Sequence, residues 1–205
     1  MPALTIHHLT VSQSERIPWL CEELHLPYTL RTYRRSLILA PPAYRALHPS
    51  GAAPVIHDAN NNLTLAESGA CIEYLCHSTP AASCFSSPAI KTTPRFCTGG
   101  TSQTNKRFAE ERVKRALEAV DIRLRDHTWL AGSEFTAADI MTVFSLTTMR
   151  YFYPYSLAEY KNILRYQERV GERKAYQKAM RRCDPDMELV LGAEPPKKLM
   201  MPLPN

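Results

Sequence analysis

Three short runs gather the residue types that could do chemistry. Ser12-Gln13-Ser14-Glu15-Arg16 sets two hydroxyls, a carboxyl and a guanidinium close together. Ser12 and Ser14 stand where a short strand-like run gives way to a helical pattern. Either hydroxyl can cap that helix or donate to an anion held at its positive end. Arg16, one turn on, can add positive charge there or make a surface pair with Glu15 or Glu23. Ala53-Pro54-Val55 opens an apolar run after a glycine-containing turn. Glu67-Ser68 lies where a strand pattern meets a helix, and the backbone N–H groups at such a helix start favour a carboxylate. The Ser68 hydroxyl can bond that ligand, cap the helix, or do both.

The elements that must position these runs can be read from periodicity. Leu4–Leu9 reads as a strand, and Ile17, Trp19, Leu20 and Leu24 as the apolar stripe of the helix after it, with Pro18 tolerated in its first turn. Residues 28–34 alternate as a second strand, and 41–47 form a short helix. Residues 54–58 and 63–65 make an antiparallel pair around the turn at 60–62, and 67–77 is a helix with Ala70, Cys71, Tyr74 and Leu75 on one face. The order βαβαββα predicts one mixed sheet with helices against it. Residues 79–103 are rich in Ser, Thr, Pro and Gly, show no apolar period, and read as a linker. From 106 the helical period returns, with Val113, Leu117, Val120 and Leu124 on one stripe. Thr136-Ala137-Ala138-Asp139 is a capping box, flanked by Phe135 and Ile140, and opens a helix over 139–149 that is apolar nearly all round. Two further helices are expected near 160–170 and 173–182. The chain thus divides into a first domain over 1–79, an irregular linker over 80–105, a helical domain over 106–192 and a loose, proline-rich tail over 193–205.

Composition narrows the function classes. The chain has 205 residues, 44% hydrophobic and 22% charged, enough for one large domain or two small ones sharing a core. Its net charge of +5 is not gathered into a basic block with interleaved aromatics, which argues against nucleic acid and suits a cleft that attracts a small anion. The six cysteines make no CxxC and no Cys–His metal spacing, so neither a metal site nor a dithiol centre is expected. Cys21, Cys71 and Cys76 fall in apolar helical patterns and are expected in the core. No basic-then-apolar leader opens the chain and no run approaches the ~18 apolar residues of a membrane span, so the reading is cytoplasmic with no membrane partner.

Four motifs in order carry a family resemblance. Ser12-Gln13-Ser14-Glu15-Arg16 with Trp19-Leu20-Cys21-Glu22-Glu23-Leu24, then His48-Pro49-Ser50-Gly51-Ala52-Ala53-Pro54-Val55-Ile56, then Leu65-Ala66-Glu67-Ser68-Gly69-Ala70 with Ile72-Glu73-Tyr74-Leu75, resemble the glutathione-binding half of the glutathione transferases in their Ser-type, fungal and bacterial branches. Trp129-Leu130-Ala131-Gly132 and Phe135-Thr136-Ala137-Ala138-Asp139-Ile140 resemble the start of the buried helix in that family's second domain. The resemblance covers about 4–77 and 106–182. It implies an α/β thioredoxin-like N-terminal domain followed by an all-α C-terminal domain. It also implies glutathione as co-substrate, a hydrophobic electrophile as second substrate, and a homodimer. Within it, Pro54 is expected in a cis peptide, with the backbone of Val55 as the strand edge that pairs the cysteinyl part of glutathione; the alternative is a trans proline at a strand start. Glu67 and Ser68 are the implied γ-glutamyl site. Ser12 is the first candidate to stabilise the thiolate and Ser14 the second, because a thiol of pKa ~8.5 is only a few per cent ionised at neutral pH and a hydroxyl donating to sulfur raises that share. No Tyr precedes Tyr28 and no Cys precedes Cys21, which sets Tyr-type and Cys-type chemistry aside.

Two departures qualify the resemblance. Ala52 stands where many relatives carry Lys or Arg for the glycine carboxylate of glutathione, a role that Arg34, Arg35 or Arg45 would have to take. Residues 79–103 stand where the family places a long helix lining the electrophile pocket and part of the dimer interface. The codons TTC TGC ACT GGT GGA ACT TCG CAA AC would encode Phe96 to Thr104, and read two bases later they give Leu-His-Trp-Trp-Asn-Phe-Ala-Asn, which resembles that helix. The stretch is therefore read as either a frame-shifted helix or a genuine linker. With the helix gone, parts of 113–124 and 139–149 are expected to be exposed. The competing functions are a non-catalytic interaction module and a glutathione-dependent isomerase or peroxidase. The Tyr151-Phe152-Tyr153-Pro154-Tyr155 run faces either the electrophile or an interdomain seam.

Overall fold

The computed structural model describes residues 2–36, 39–78 and 103–200, with side chains in the last stretch described from 110 onward. The first half runs β1 (Leu4–Leu9), a 3-10 turn (Gln13–Glu15), α1 (Arg16–Glu23), β2 (Tyr28–Tyr33), α2 (Pro42–Arg45), β3 (Val55–Asp58), β4 (Leu63–Ala66) and α3 (Ser68–His77). The sheet order is β2-β1-β3-β4, with β1 parallel to β2 and antiparallel to β3, and β3 antiparallel to β4. This is the mixed four-stranded sheet the βαβαββα order predicts. The period of two sends side chains to both faces. Ile6 and Ile56 join Ile17, Leu20, Cys71 and Ile72 of α1 and α3 in the main core. Leu9, Val55 and Ala66 pack with Tyr44 of α2 on the opposite face. Cys21, Cys71 and Cys76 are buried free thiols, as expected.

The second half is helical: α4 (Gln103–Asp126), α5 (Ala137–Leu146), a 3-10 turn (Thr148–Tyr151), α6 (Lys161–Glu172) and α7 (Lys174–Cys183). The capping box at α5 is present, with the Thr136 N–H donating to Asp139 Oδ2 at 2.8 Å. Asp139 also accepts from the Leu130 N–H at 3.0 Å and the Tyr166 hydroxyl at 3.1 Å, so its buried carboxylate ties three segments together.

Helix α1 is enclosed on all sides, its residues from Arg16 to Glu22 buried between the sheet and the helical half. Trp19 meets Phe135 and Tyr176 at ring-centroid distances of 5.5 and 4.8 Å. Its indole N–H donates to Glu23 Oε1 at 2.8 Å, and Arg173 of the segment before α7 grips the same carboxylate at 2.7 and 2.6 Å. On the next turn Glu22 accepts from Lys178 at 2.6 Å and Arg182 at 2.9 Å. The two halves therefore share one core, with charged pairs around it.

Two expectations are corrected and a third holds only in part. Of the stretches 113–124 and 139–149, parts of which are expected to be exposed, Ile122 is 60% accessible, while Val113, Leu117 and Leu124 are 4–8% accessible and Ile140, Val143 and Leu146 are buried. The tail is not loose over 193–200: the Leu157 N–H bonds the Ala193 carbonyl at 2.8 Å, the Met200 N–H bonds the Tyr151 carbonyl at 2.9 Å, and Arg150 donates to the carbonyls of Gly192 and Ala193 at 2.8 and 2.6 Å. Helix α4 begins at Gln103, three residues ahead of the expected start at 106. Residues 79–102, on which the linker and the frame-shift readings rest, lie outside the described residues, as do 201–205.

Candidate functional site

The three chemical runs meet at the N-terminal end of α1. Ser12 sits between β1 and the 3-10 turn with extended backbone (φ −150°), and its hydroxyl caps that turn by accepting the Ser14 N–H at 3.2 Å. It is 3% accessible and lies 2.7 Å from the Leu9 carbonyl and 2.6 Å from Ser14 Oγ. Ser14 is buried, accepts the Leu9 N–H at 3.1 Å, and lies 2.8 Å from His8 Nδ1. His8 Nε2 in turn lies 3.0 Å from Asp184 Oδ2, directly after α7.

Gln13 joins the runs. Its Nε2 donates to the Ala53 carbonyl at 2.9 Å, and its Oε1 accepts from Arg16 Nη1 at 3.0 Å. The same Arg16 nitrogen donates to Ser68 Oγ at 3.0 Å, while Nη2 donates to the Met141 carbonyl of α5 at 2.7 Å. Arg16 is thus a buried bridge, and the surface pair with Glu15 or Glu23 does not occur. Burial lowers its guanidinium to about 10, which leaves it cationic at neutral pH, and it stacks 5.1 Å from the centroid of Phe144.

Pro54 follows a cis peptide, so the trans alternative falls. Val55, however, is flanked by His7 on one side and Ala66 on the other, and is no free edge. The backbone that faces the Ser12 turn belongs to Ala53, ahead of Pro54, whose carbonyl takes the Gln13 amide. Glu67 is exposed at the start of α3 with φ +78°, a region few non-glycine residues adopt, and its N–H is tied to the Pro54 carbonyl at 3.1 Å. Ser68, next to it, is buried under Arg16. One cluster therefore holds Ser12, Ser14, Arg16, Pro54, Glu67 and Ser68 around the starts of α1 and α3.

Sequence reasoning missed Gln13, Glu15, His8 and Asp184. Glu15 is buried, and its Oε2 accepts the Thr148 hydroxyl at 2.7 Å. Burial pushes its carboxyl up to about 8, against the pull of that hydrogen bond. Asp184 lies 176 positions from His8, a separation that no local pattern reports. Both Asp184 oxygens accept the Val11 N–H at 3.1 Å, and Val11 holds φ +47°, an outlier for a β-branched residue.

Of the expected stand-ins for Ala52, Arg35 donates to the Thr10 carbonyl at 2.9 Å and stacks on Phe152, and Arg34 and Arg45 are exposed. His48 bonds Ser50 within its own loop. The aromatic run splits: Tyr151 is buried with its hydroxyl on the Glu188 carbonyl, while Tyr153 and Tyr155 line a cleft of about 670 Å³ with Val113 and Leu117. None of the residues around Ser12 lines that cleft. Among the described residues no group of His, Cys, Asp and Glu is placed to hold a metal, and no helix is long and apolar enough to cross a membrane.

A thioredoxin-like sheet with a cis-proline turn, backed by a helical half, defines a class of two-domain folds. Comparison places the chain within it. Residues 12–78 match the family model for the N-terminal domain of glutathione S-transferase, and 75–174 match that for its C-terminal domain. A glutathione S-transferase from Actinobacillus pleuropneumoniae superposes with a TM-score of 0.75 at 30% identity, over 88% of this chain and 93% of its own. Glutathione S-transferase 3 of Schizosaccharomyces pombe is 29% identical over 84% of each chain. Glutathione transferase URE2P8 of Phanerochaete chrysosporium, solved with oxidized glutathione, shares the fold with a TM-score of 0.68 at 16% identity, over 89% of this chain and 95% of its own. The chain belongs to the glutathione S-transferase family.

Proposed function

We propose that the chain joins the thiol of glutathione to a hydrophobic electrophile, with Ser12 donating a hydrogen bond to the thiolate. The observation that carries this reading is the Gln13–Arg16 bridge, which draws Ser12, the Ala53–Pro54 turn and Ser68 into one cluster. The buried Arg16 cation and the start of α3 favour a carboxylate at Ser68, and the exposed Glu67 carboxylate suits the γ-glutamyl ammonium. At the other end of the cluster, the Ser12 hydroxyl and the start of α1 favour a thiolate. Relatives named glutathione transferases, one of them solved with oxidized glutathione, support the same ligand. The reading carries a homodimer and a cytoplasmic location with it.

The chemistry is a displacement: a carbon–sulfur bond forms, the leaving group departs with its electron pair, and the thiol proton passes to a base. The test is retention on immobilised glutathione together with conjugation to a halonitroarene. Retention with turnover is expected. Retention without turnover would make the chain a binding module, and neither would overturn the reading.

A further inference from the structure

Ser12 donates only one proton, and nothing in the proposed chemistry says where the thiol proton goes. The hydrogen bonds behind Ser12 supply an answer. Ser12 Oγ, Ser14 Oγ, His8 Nδ1, His8 Nε2 and Asp184 Oδ2 form an unbroken chain with spacings of 2.6, 2.8 and 3.0 Å between residues. His8 and Ser14 are wholly buried, and Ser12 and Asp184 nearly so. Asp184 accepts from the Val11 N–H with both oxygens. With Asp184 as the acceptor His8 donates from Nε2, and the tautomer that carries its proton there has Nδ1 as an acceptor. Ser14, already accepting the Leu9 N–H, then donates to Nδ1, and its oxygen can accept from Ser12. Ser12 accepts the Ser14 N–H at 3.2 Å and has one proton to place between the Leu9 carbonyl, 2.7 Å away, and Ser14 Oγ; with that proton on Ser14 it keeps one lone pair for a proton from outside.

We propose that this chain is a proton relay in which His8 takes the glutathione thiol proton through Ser14 and Ser12, with Asp184 as the residue that positions the imidazole. The inference rests on the glutathione reading above. In the step, the S–H bond breaks and its proton bonds Ser12 Oγ. The Ser12 proton moves to Ser14 Oγ and the Ser14 proton to His8 Nδ1. Sulfur keeps the electron pair as thiolate, and His8 becomes an imidazolium against the Asp184 carboxylate. Every proton now points the other way, so the Ser12 O–H donates to the thiolate. The relay that removes the proton thus creates the bond that stabilises its product. After the displacement the proton returns along the same path to water at Ser12 as the conjugate leaves. The titratable and charged groups around the His8–Asp184 pair are Glu15, Arg35 after β2, Tyr151, and Cys183 of α7, with Tyr176 beyond Glu15.

His8→Gln tests the relay, because its amide can still donate to Asp184 while offering no base to Ser14. Thiolate formation on mixing with glutathione is followed by ultraviolet absorbance, and protons released by an indicator dye in weak buffer. The parent is expected to release well under one proton per thiolate near neutral pH, because His8 keeps it. His8→Gln is expected to release about one proton per thiolate formed, to raise the bound thiol's apparent pKa, and to lower kcat/KM at neutral pH by about 10²-fold. Glutathione affinity should stay within a few-fold. A His8→Gln protein with the parent's proton count and pH profile overturns the relay and leaves the transferase reading standing. A parent that binds no glutathione overturns both. If His8→Gln fails to fold, Ser14→Ala breaks the chain at its middle without touching the His8–Asp184 pair, and the same two outcomes apply to it.

Discussion

At the scale of single residues the proposed function assigns the cluster a chemical end and a binding end. Ser12→Ala should lower turnover about tenfold or more while glutathione affinity barely changes, because a hydrogen bond to a charged sulfur contributes about 1.5–3 kcal/mol. Ser68→Ala or Glu67→Gln should do the reverse, raising the glutathione dissociation constant with little effect on the bound thiol's pKa. Calorimetric titration beside a pH series of the thiolate absorbance separates the two, and a Ser12→Ala protein of parental turnover would move the chemistry to Ser14. Ser12, Ser14, Glu67 and Ser68 were legible in the sequence because their placement depends on local boundaries between strand and helix. Arg16 was legible as a candidate but not as a buried one, since a lone Arg near two glutamates reads as a surface pair. His8 and Asp184 were not legible at all. Their bond closes a loop of 176 positions, and a histidine in a strand carries no sign of what will later pack against it.

At the scale of elements, α5 shows where sequence rules hold and where they stop. The capping box was readable as four consecutive residues, and it forms. Thr136→Ala should cost about 1 kcal/mol of folding stability, as the loss of an N-cap does. Asp139→Ala should cost more, on the order of 3 kcal/mol, because the Leu130 and Thr136 amides and the Tyr166 hydroxyl all lose their acceptor in a buried place. Urea unfolding of both variants checks the order, and an equal or reversed cost would show that the cap, not the network, is what Asp139 provides. The far end of the helix was misread. The apolar pattern continues to 149, yet α5 stops at Leu146. Thr147 leaves the helical region (φ −122°, ψ −92°), with its N–H and its hydroxyl both donating to the Val143 carbonyl, at 3.0 and 2.8 Å, so the helical ladder closes at this residue. The exposure expected along α4 and α5 is met at Ile122 and not at Val113, Leu117 or Ile140, because a stripe pattern says which face is apolar, not which neighbour will cover it.

At the scale of the molecule, the seam between the halves buries a carboxyl at Glu15. The carboxyl of an ordinary Glu ionises near 4.5, whereas burial at the seam pushes this one up to about 8. The folded chain therefore keeps a proton that the unfolded chain releases. The stabilisation is fully present below about 4.5 and is lost as pH rises through about 8, at a slope of about 1.4 kcal/mol per pH unit between those values. Going from about pH 6 to about pH 8, the parent should lose on the order of 2 kcal/mol more than Glu15→Gln, as measured by urea unfolding at each pH. Parallel pH profiles for the two proteins would refute a proton held at Glu15. The same seam bears on how this architecture can be recombined. Val11 keeps its left-handed backbone beside Ser12, and its N–H is held by a carboxylate from the far end of the chain. A chimaera that grafts the helical half of another protein onto this sheet inherits the serine but not its scaffold, unless the graft brings an acid to the place of Asp184. The cut that looks natural in a domain diagram would divide the Ser12 loop from the residue that holds its backbone.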